Sequence, residues 1–381
     1  MTGTALELHW PRGLDAARFL QRHWQKEPLL VRGAFPLFDD GLSRRRLAAL
    51  AGREDVESRL ISHAPARGGA RYRVDHGPLG RRGLARLERP DATLLVQGVN
   101  LHVPGVKPVL DAFGFIPLAR RDDLMVSDAS PGGGVGPHVD SYDVFLLQAR
   151  GRRLWRIART FDDALVEDAP LKLLANFQAE DEFLLEPGDF LYLPPGVAHD
   201  GIALDACATW SIGFRAPSAD ELLQGWLSFV EDRFDRDERY ADPDLKLQRS
   251  AAWLSDQFLE RARGLLGSAA FDEAMFERFL GEYLTEPKPH VRFRAPARPH
   301  SQEAFAGRLQ RAHVVLAATS TMLYRGRCVY MNGEACPLPA RAMRSATLLA
   351  DRRELGPAPR NDPAWIEALH GWYCSGYLLL R

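Results

Sequence analysis

The sequence predicts an all-β core, followed by a helical segment and then by a small mixed α/β region at the carboxyl end. Across residues 58–214, short apolar runs alternate with Gly, Pro and Asp, which is the pattern of many short strands. After the Arg-Ala-Pro of residues 215–217, the apolar positions change to helical spacing. Further on, the Met-Asn-Gly of residues 331–333 is a hairpin turn signal. These patterns indicate a β-sandwich or barrel with two further modules.

The composition is that of a globular protein large enough for two or three domains. The 381 residues are 46% hydrophobic and 26% charged, and no apolar run has the length of a membrane span. Glu7, Asp15 and Arg18 interrupt the first twenty residues, unlike a secretory signal, so we expect a cytoplasmic protein without membrane contact. The four cysteines are far apart and contain no CxxC pair, which suits a reducing compartment and argues against a zinc knuckle.

Charge divides the chain into three parts. The formal net charge of −1 is the sum of −1 in residues 1–215, −6 in residues 216–280 and +6 in residues 281–381. An acidic middle and a basic end favour separate modules, although solvated helical faces would give the same pattern.

Periodicity places elements along the amino-terminal half. Helical spacing over residues 14–26 stops at Pro28, and Leu29–Val31 then has the composition of a short buried strand. A second helix is expected near residues 42–51. The clearest strands of the core are the apolar runs at residues 93–96, 144–147 and 190–193.

The second half is expected to begin with a helix behind the capping residues Ser218 and Asp220, with further helices near residues 251–266 and 271–283. The stripe of this first helix comprises Leu222, Leu223, Trp226, Phe229 and Val230. A linker at residues 286–290 precedes strands predicted at 314–317, 322–330 and 334–338 and helices at 340–353 and 362–377. We therefore divide the chain into a catalytic domain (1–217), a helical region (218–285) and a carboxyl-terminal domain (286–381).

Two side chains in the β region suggest a metal site. His138 and Asp140 are separated by one residue and follow a glycine-rich run, residues 128–137. On a strand, positions i and i+2 point to the same side. Tyr142, Val144 and Leu146 continue that face into an apolar interior. An isolated His-x-Asp pair would more simply be a hydrogen-bonded pair at a strand edge.

A third side chain changes that interpretation. His199 follows a turn at residues 186–189, the strand at 190–193 and a second turn at 194–196. Two imidazoles and one carboxylate can occupy one face of an octahedron and leave three positions open, which is the site of non-haem iron(II) oxygenases. The same ligands also accept manganese, cobalt or nickel.

Arg153 is a candidate for binding an anion. Strand alternation places it on the same apolar face as Trp155 and Ile157. A cation there requires a carboxylate partner, and a bound dicarboxylate cosubstrate would supply one to the guanidinium fork. A structural pair with a nearby aspartate is the alternative.

Several segments, read together, resemble the bacterial JmjC-type ribosomal oxygenases. The matching motifs occur in the order of that family at residues 19–34, 122–127, 131–145, 151–156, 186–189, 193–201 and 211–217. The resemblance implies a double-stranded β-helix (the cupin or JmjC jelly roll), a helical dimerisation region and a winged-helix-like carboxyl-terminal domain.

The resemblance also implies the chemistry. His138, Asp140 and His199 would bind Fe(II), Arg153 would hold the distal carboxylate of the cosubstrate 2-oxoglutarate, and O2 would be the oxidant. Thr209 stands where relatives can carry an amide near the cosubstrate. Ser141 varies among relatives and is expected to face the substrate.

The implied activity is hydroxylation of an arginine side chain in a large-subunit ribosomal protein, ribosomal protein sixteen. An arginine needs carboxylates and an apolar clamp, so the acidic strand before the glycine-rich loop is a candidate substrate contact: Asp122, Asp123, Met125 and Asp128. Alternatives are a histidyl hydroxylase or a demethylase of another basic protein, or a non-catalytic cupin module. We expect a homodimer without direct nucleic-acid binding, because the basic tail lacks interleaved aromatic residues.

Overall fold

The computed structural model describes residues 6–36, 38, 41–66, 69–233, 239–241, 243–244, 255–267, 273–358 and 362–381. The chain separates into two compact units, residues 1–216 with 289–292 and residues 217–288 with 293–381. Each unit has its own apolar core. The first residues of the helices predicted at 251–266 and 271–283 lie outside the described part of the chain. The division into three domains stays a prediction.

The first unit is built from five short α-helices and twelve strands among its described residues. In chain order they are α1 (Ala16–Arg22), β1 (Leu29–Val31), α2 (Arg44–Ala51), β2 (Ser58–Ala66), β3 (Gly69–His76), α3 (Arg81–Leu84), β4 (Ala92–Val96), α4 (Val99–His102), α5 (Lys107–Ala112), β5 (Arg121–Ala129), β6 (His138–Val139), β7 (Asp143–Arg150), β8 (Arg153–Ala158), β9 (Asp181–Leu185), β10 (Phe190–Leu193), β11 (Ala198–Ala203) and β12 (Cys207–Phe214).

These strands form two antiparallel sheets. The larger has the order β1-β10-β7-β12-β5-β4-β2-β3, and the smaller has the order β6-β11-β8-β9. Apolar side chains from β7 and β10 of the larger sheet meet those of β8 and β9 of the smaller in one cluster, so the two sheets face each other. The predicted jelly-roll core is confirmed.

Strand β7 shows why the strongest strand signals were continuous apolar runs. Val144 and Leu146 point towards the smaller sheet. Phe145 and Leu147 point the other way, into a core that includes Phe19 of α1. A strand buried on both faces needs apolar residues at every position.

The second unit contains the predicted helical region and the carboxyl-terminal elements. Its described elements are α6 (Ala219–Glu231), α7 (Asp256–Gly267), α8 (Glu273–Thr285), α9 (Gln302–Arg308), β13 (Val314–Leu316), β14 (Met322–Arg325), β15 (Cys328–Met331), β16 (Glu334–Pro337), α10 (Ala340–Arg352), β17 (Glu354–Leu355), α11 (Pro363–Cys374) and β18 (Leu378–Leu380). None of the helices that the structure describes, in either unit, is both long enough and apolar enough to span a membrane.

Helix α6 begins as expected and packs most of the predicted stripe within its own unit, but it leaves Leu223 exposed. Ser218 accepts a hydrogen bond from the Glu221 amide, and the Glu221 side chain accepts one from the Ser218 amide, a capping box. Trp226 and Phe229 pack against Phe279 of α8. The sequence could not distinguish this packing from an apolar face left for another chain.

The strand predicted over residues 322–330 is wrong. It is two strands, β14 and β15, paired antiparallel through a turn in which Gly326 has φ +56°. The Gly-Arg turn is a weaker sequence signal than the Asn-Gly turn that follows β15. Strands β14, β15 and β16 form one three-stranded sheet, and β17, β13 and β18 form a second. Helices α9–α11 belong to the same region of the chain.

Candidate active site

The two histidines face each other across a strand pair. In the antiparallel register of β6 and β11, His199 is directly opposite His138, and their ring centroids are 4.3 Å apart. His138 Nδ1 lies 2.9 Å from the Gly136 carbonyl oxygen, and His199 Nδ1 lies 3.0 Å from that of Val197. A carbonyl only accepts, so each Nδ1 donates and each Nε2 keeps its lone pair for a ligand.

Asp140 completes a triangle of donor atoms. Its Oδ1 is 4.0 Å from His138 Nε2, and its Oδ2 is 3.7 Å from His199 Nε2. One ligand atom from each of the three residues lies within 4.8 Å of the others. Two nitrogens and one oxygen at this separation can hold one octahedral cation on a single face, with three positions left for other ligands.

Burial sets the protonation of this triangle. Burial and the neighbouring His138 lower the pKa of His199 to about 3, so this imidazole is neutral at physiological pH. Burial also raises the pKa of Asp140, against the opposing effects of His138 and of a hydrogen bond from Tyr142. A half-buried carboxylate beside the neutral His199 gains from a bound cation, because the cation offsets the cost of burying its charge.

A pocket of about 170 Å³ extends from the triangle between the two sheets. Eight of its seventeen lining residues lie on β5, β7 and β8, and the others lie on β4, β6, β11 and β12 or in the loops between strands. The lining residues are Leu95, Gln97, Asp122, Asp123, Met125, Ser127, Val135, His138, Asp140, Tyr142, Val144, Leu146, Arg153, Trp155, His199, Ser211 and Gly213.

Arg153 lies at the buried end of this pocket. Its side chain is only 3% exposed, and its Nη1 donates to Ser127 Oγ at 2.8 Å. Nε and Nη2 are buried without a hydrogen-bond partner, and among the described residues no carboxylate lies within ion-pair distance of the guanidinium. A buried guanidinium with two unsatisfied nitrogens is arranged for an anion that the chain itself does not supply.

The opposite side of the pocket is acidic. Asp123 is 7% exposed and accepts two hydrogen bonds from Gln97 Nε2, at 2.9 and 3.1 Å. Asp122 Oδ1 is 3.4 Å from Arg215 Nε. Met125 lines the pocket between the carboxylates and Ser127. This wall fits a cationic side chain with an apolar stem.

Asp128 is not part of the pocket, and its predicted substrate contact is wrong. The carboxylate is fully buried on the other face of β5, where Arg44 Nε lies 2.6 Å from Oδ1 and Arg150 Nη2 lies 2.5 Å from Oδ2. Strand alternation explains the error, since Asp128 is adjacent to the pocket-facing Ser127 and therefore points away.

Two further predicted residues lie outside the pocket lining. Thr209 is fully buried opposite Ser127 and donates to Gln148 Oε1 at 2.9 Å. Ser141 is exposed beside the metal triangle. Their predicted contacts with cosubstrate and substrate stay predictions.

Three polar residues of the pocket were not predicted from the sequence: Gln97, Ser127 and Ser211. Ser127 could have been found, because it is two residues beyond Met125 and four beyond Asp123 on one strand face. Gln97 and Ser211 reach the pocket only through sheet pairing, which no local pattern encodes.

Comparison with protein families identifies two regions of the chain. The JmjC domain family matches residues 108–222, and the ROXA-like winged helix family matches residues 268–379. An AraC-like ligand binding domain family matches residues 177–280.

Relatives match over nearly the whole chain. The ribosomal protein uL16 3-hydroxylase of Escherichia coli is 33% identical over 379 residues, which cover 98% of each chain. A probable ribosomal oxygenase of Haemophilus influenzae is 34% identical over 62% of this chain and 56% of its own length.

Solved structures agree with these matches. The crystal structure of E. coli ycfD has a TM-score of 0.88 at 33% identity and covers 98% of this chain and 100% of its own. A structure of YcfD with cobalt and 2-oxoglutarate has a TM-score of 0.85 at 32% identity, covering 98% and 99%. With a JmjC region, a ROXA-like winged helix and this full-length similarity, the chain belongs to the JmjC-type ribosomal oxygenase family.

Proposed function

We propose that this chain is an Fe(II)- and 2-oxoglutarate-dependent dioxygenase that hydroxylates an arginine side chain of ribosomal protein uL16. The observation that carries the proposal is a single pocket that combines a metal triangle, a buried guanidinium and an acidic wall. The full-length similarity to a uL16 3-hydroxylase supplies the substrate.

The residues present fit both the metal and the cosubstrate. His138, Asp140 and His199 offer two imidazole nitrogens and one carboxylate, the donor set of non-haem iron(II). Arg153 offers two buried nitrogens without partners, the complement of a distal carboxylate. When bound, iron(II) and 2-oxoglutarate supply the activation of O2 that hydroxylation of an unactivated carbon requires.

The chain's own residues orient the metal ligands, position the substrate and exclude water. The Gly136 and Val197 carbonyls hold the two imidazoles with Nε2 towards the pocket. Val144, Leu146 and Trp155 make the interior between the triangle and Arg153 apolar, which keeps water from the reacting groups. Asp122 and Asp123 would neutralise the substrate guanidinium and position its stem over Met125.

A direct assay tests the proposal. The protein is incubated with Fe(II), 2-oxoglutarate and a uL16 peptide, and we expect a mass gain of one oxygen on an arginine together with succinate formation. His138→Ala should abolish both. Succinate formation by the wild type without oxidation of the peptide would reject uL16 as substrate, and no succinate at all would reject the enzymatic function.

A panel of peptides separates the proposed target from its alternatives. Histidine-containing and methyl-lysine peptides of other basic proteins are assayed beside the uL16 peptide under the same conditions. Oxidation of a histidine or loss of a methyl group, in place of arginine hydroxylation, would identify a histidyl hydroxylase or a demethylase.

We also propose that the protein is a homodimer joined through helix α6. Trp226 and Phe229 are covered by α8, but Leu223 and Leu227 are 54% and 58% exposed. They are four residues apart and therefore share one face of the helix. Two large leucines side by side in solvent suit a face that a second copy covers.

Light scattering tests the dimer. The double variant Leu223→Glu, Leu227→Glu should be half the mass of the wild type. Gln224→Glu adds a carboxylate at an exposed position between the two leucines and leaves both of them in place, so it is the matched control. An unchanged mass of the double variant would contradict this interface.

The proposed ribosomal substrate leads us to propose a cytoplasmic location. Free thiols suit a reducing compartment, and the described cysteines are free: Cys207, Cys328, Cys336 and Cys374.

We propose no direct nucleic-acid binding, because the acidic pocket wall would repel phosphates. Salt-dependent retention of the protein on ribosomal RNA would contradict that proposal.

A further inference from the structure

Trp155 lies between the two ends of the pocket. In the register of β8 and β11, Ile157 is opposite His199, Trp155 is opposite Gly201, and Arg153 is opposite Ala203. The Trp155 ring centroid is 5.9 Å from that of His199 and 5.8 Å from Arg153 Cζ. Trp155 therefore lies between the metal triangle and Arg153 on the side of the pocket that β8 forms.

The absence of a side chain at Gly201 lets the Trp155 indole lie against the sheet. A Cβ atom at Gly201 would lie 2.7 Å from two carbons of the Trp155 six-membered ring. Only glycine leaves room for the ring to lie against β11 at this position. The pairing of a tryptophan with a glycine thus determines how far the indole projects into the pocket.

The indole nitrogen is buried and has no partner in the described part of the chain. Trp155 is 6% exposed and lines the pocket, and its Nε1 is without a hydrogen bond. A buried N–H without an acceptor costs free energy, and an oxygen-rich ligand in the same pocket would remove that cost.

We propose that Trp155 contacts the cosubstrate and, seated on Gly201, limits the 2-oxo acid to a five-carbon dicarboxylate. The inference rests on the proposed role of Arg153. The Trp155 indole covers the methylene carbons between the keto-acid end and the distal carboxylate of the cosubstrate. Its Nε1–H donates a hydrogen bond to a cosubstrate oxygen. A six-carbon acid would need the space that the indole occupies.

Binding measurements on the cobalt-loaded protein test this without turnover. Affinities for 2-oxoglutarate and for 2-oxoadipate, which is one methylene longer, are measured by calorimetry. Trp155→Phe should weaken 2-oxoglutarate about 5-fold, the effect of one lost hydrogen bond, and should not weaken 2-oxoadipate. Gly201→Ala should weaken both acids, because the displaced ring narrows the pocket.

Trp210→Phe is the matched control. Trp210 is 2% exposed and its Nε1 is also buried without a partner, but it lies outside the pocket lining. This variant should keep the wild-type ratio of the two affinities. A ratio that changes equally in Trp155→Phe and Trp210→Phe would reduce the effect to general core damage and overturn the proposal.

Indole N–H resonances provide a second readout. In zinc-loaded protein, the Trp155 signal, assigned by its loss in Trp155→Phe, should shift when 2-oxoglutarate is added, and the Trp210 signal should not. A Trp155 signal that does not respond would overturn the proposed contact. If the Trp155 signal does not respond but Arg153→Ala binds both acids more weakly than the wild type, the proposed function stands and only the Trp155 contact is rejected.

Discussion

Two buried charges on opposite sides of strand β5 have opposite surroundings. Asp128, fully buried, is held by Arg44 and Arg150. Arg153 is almost as deeply buried, but among the residues that the structure describes its hydrogen-bonding partner is the neutral hydroxyl of Ser127 alone. On one side of β5 two arginines neutralise the buried carboxylate. On the other side, none of the described carboxylates pairs with the buried guanidinium.

The difference separates a structural charge from a binding charge. A buried ion that its own chain neutralises contributes to folding, and removing one partner leaves the others uncompensated. A buried ion with unsatisfied donors is stabilised instead by a ligand that brings the missing charge. Both residues are polar positions among apolar strands in the sequence, so only their surroundings distinguish them.

Removing the binding charge should have the largest effect. Arg153→Ala deletes two charge-assisted hydrogen bonds to the cosubstrate, so we expect its affinity for 2-oxoglutarate to fall by about 4 kcal/mol, on the order of 1000-fold. Calorimetry on the cobalt-loaded protein measures this. The cosubstrate-free variant should unfold at an unchanged or higher urea concentration. A large loss of stability would make Arg153 a structural charge like Asp128.

Removing the structural charge should give the reverse result. Asp128→Asn keeps the shape but leaves Arg44 and Arg150 without their carboxylate, so we expect the free energy of unfolding to fall by about 3 kcal/mol. Urea denaturation measures it. Asp205→Asn, at an exposed pair with Arg152, is the control and should change stability little. A stable Asp128→Asn protein that fails to bind 2-oxoglutarate would erase the distinction between the two charges.

The cosubstrate should stabilise the wild type through Arg153. At a 2-oxoglutarate concentration 100 times its Kd, linkage predicts a gain of about 2.7 kcal/mol in the free energy of unfolding. A thermal shift of the metal-loaded protein detects this gain, which should be absent in Arg153→Ala at the same concentration. Equal shifts in both proteins would place the cosubstrate elsewhere.

The smallest effect is expected at the neutral partner. Ser127→Ala removes one hydrogen bond that orients the Arg153 guanidinium, worth about 1 kcal/mol, so the KM for 2-oxoglutarate should rise about 5-fold with little change in kcat. Ser130→Ala, a buried serine outside the pocket, is the control. A fall in kcat alone would mean that Ser127 acts on the reaction and not on Arg153.

Much of the pocket could be predicted from the sequence. Alternation along β8 put Arg153 and Trp155 on one buried face, and the i and i+2 spacing put His138 beside Asp140. Asp128 could not be assigned in this way, because its partners come from α2 and β7, 84 and 22 residues away along the chain. Sequence distance does not report which charges meet.

The same limit applied to α6. Its apolar residues and its capping box follow from local pattern, and the helix begins where the sequence placed it. Which leucines remain exposed depended on α8, which covers Trp226 and Phe229 and leaves Leu223 and Leu227 in solvent.

By itself, the sequence determined the metal-binding residue types, the jelly-roll strands and the family, because strand alternation and short-range spacing are local properties of the chain. Only the tertiary structure decided which buried charge is neutralised and which remains for a ligand. That outcome depends on side chains brought together from distant strands, and the electrostatic free energy of a buried ion is set by those neighbours.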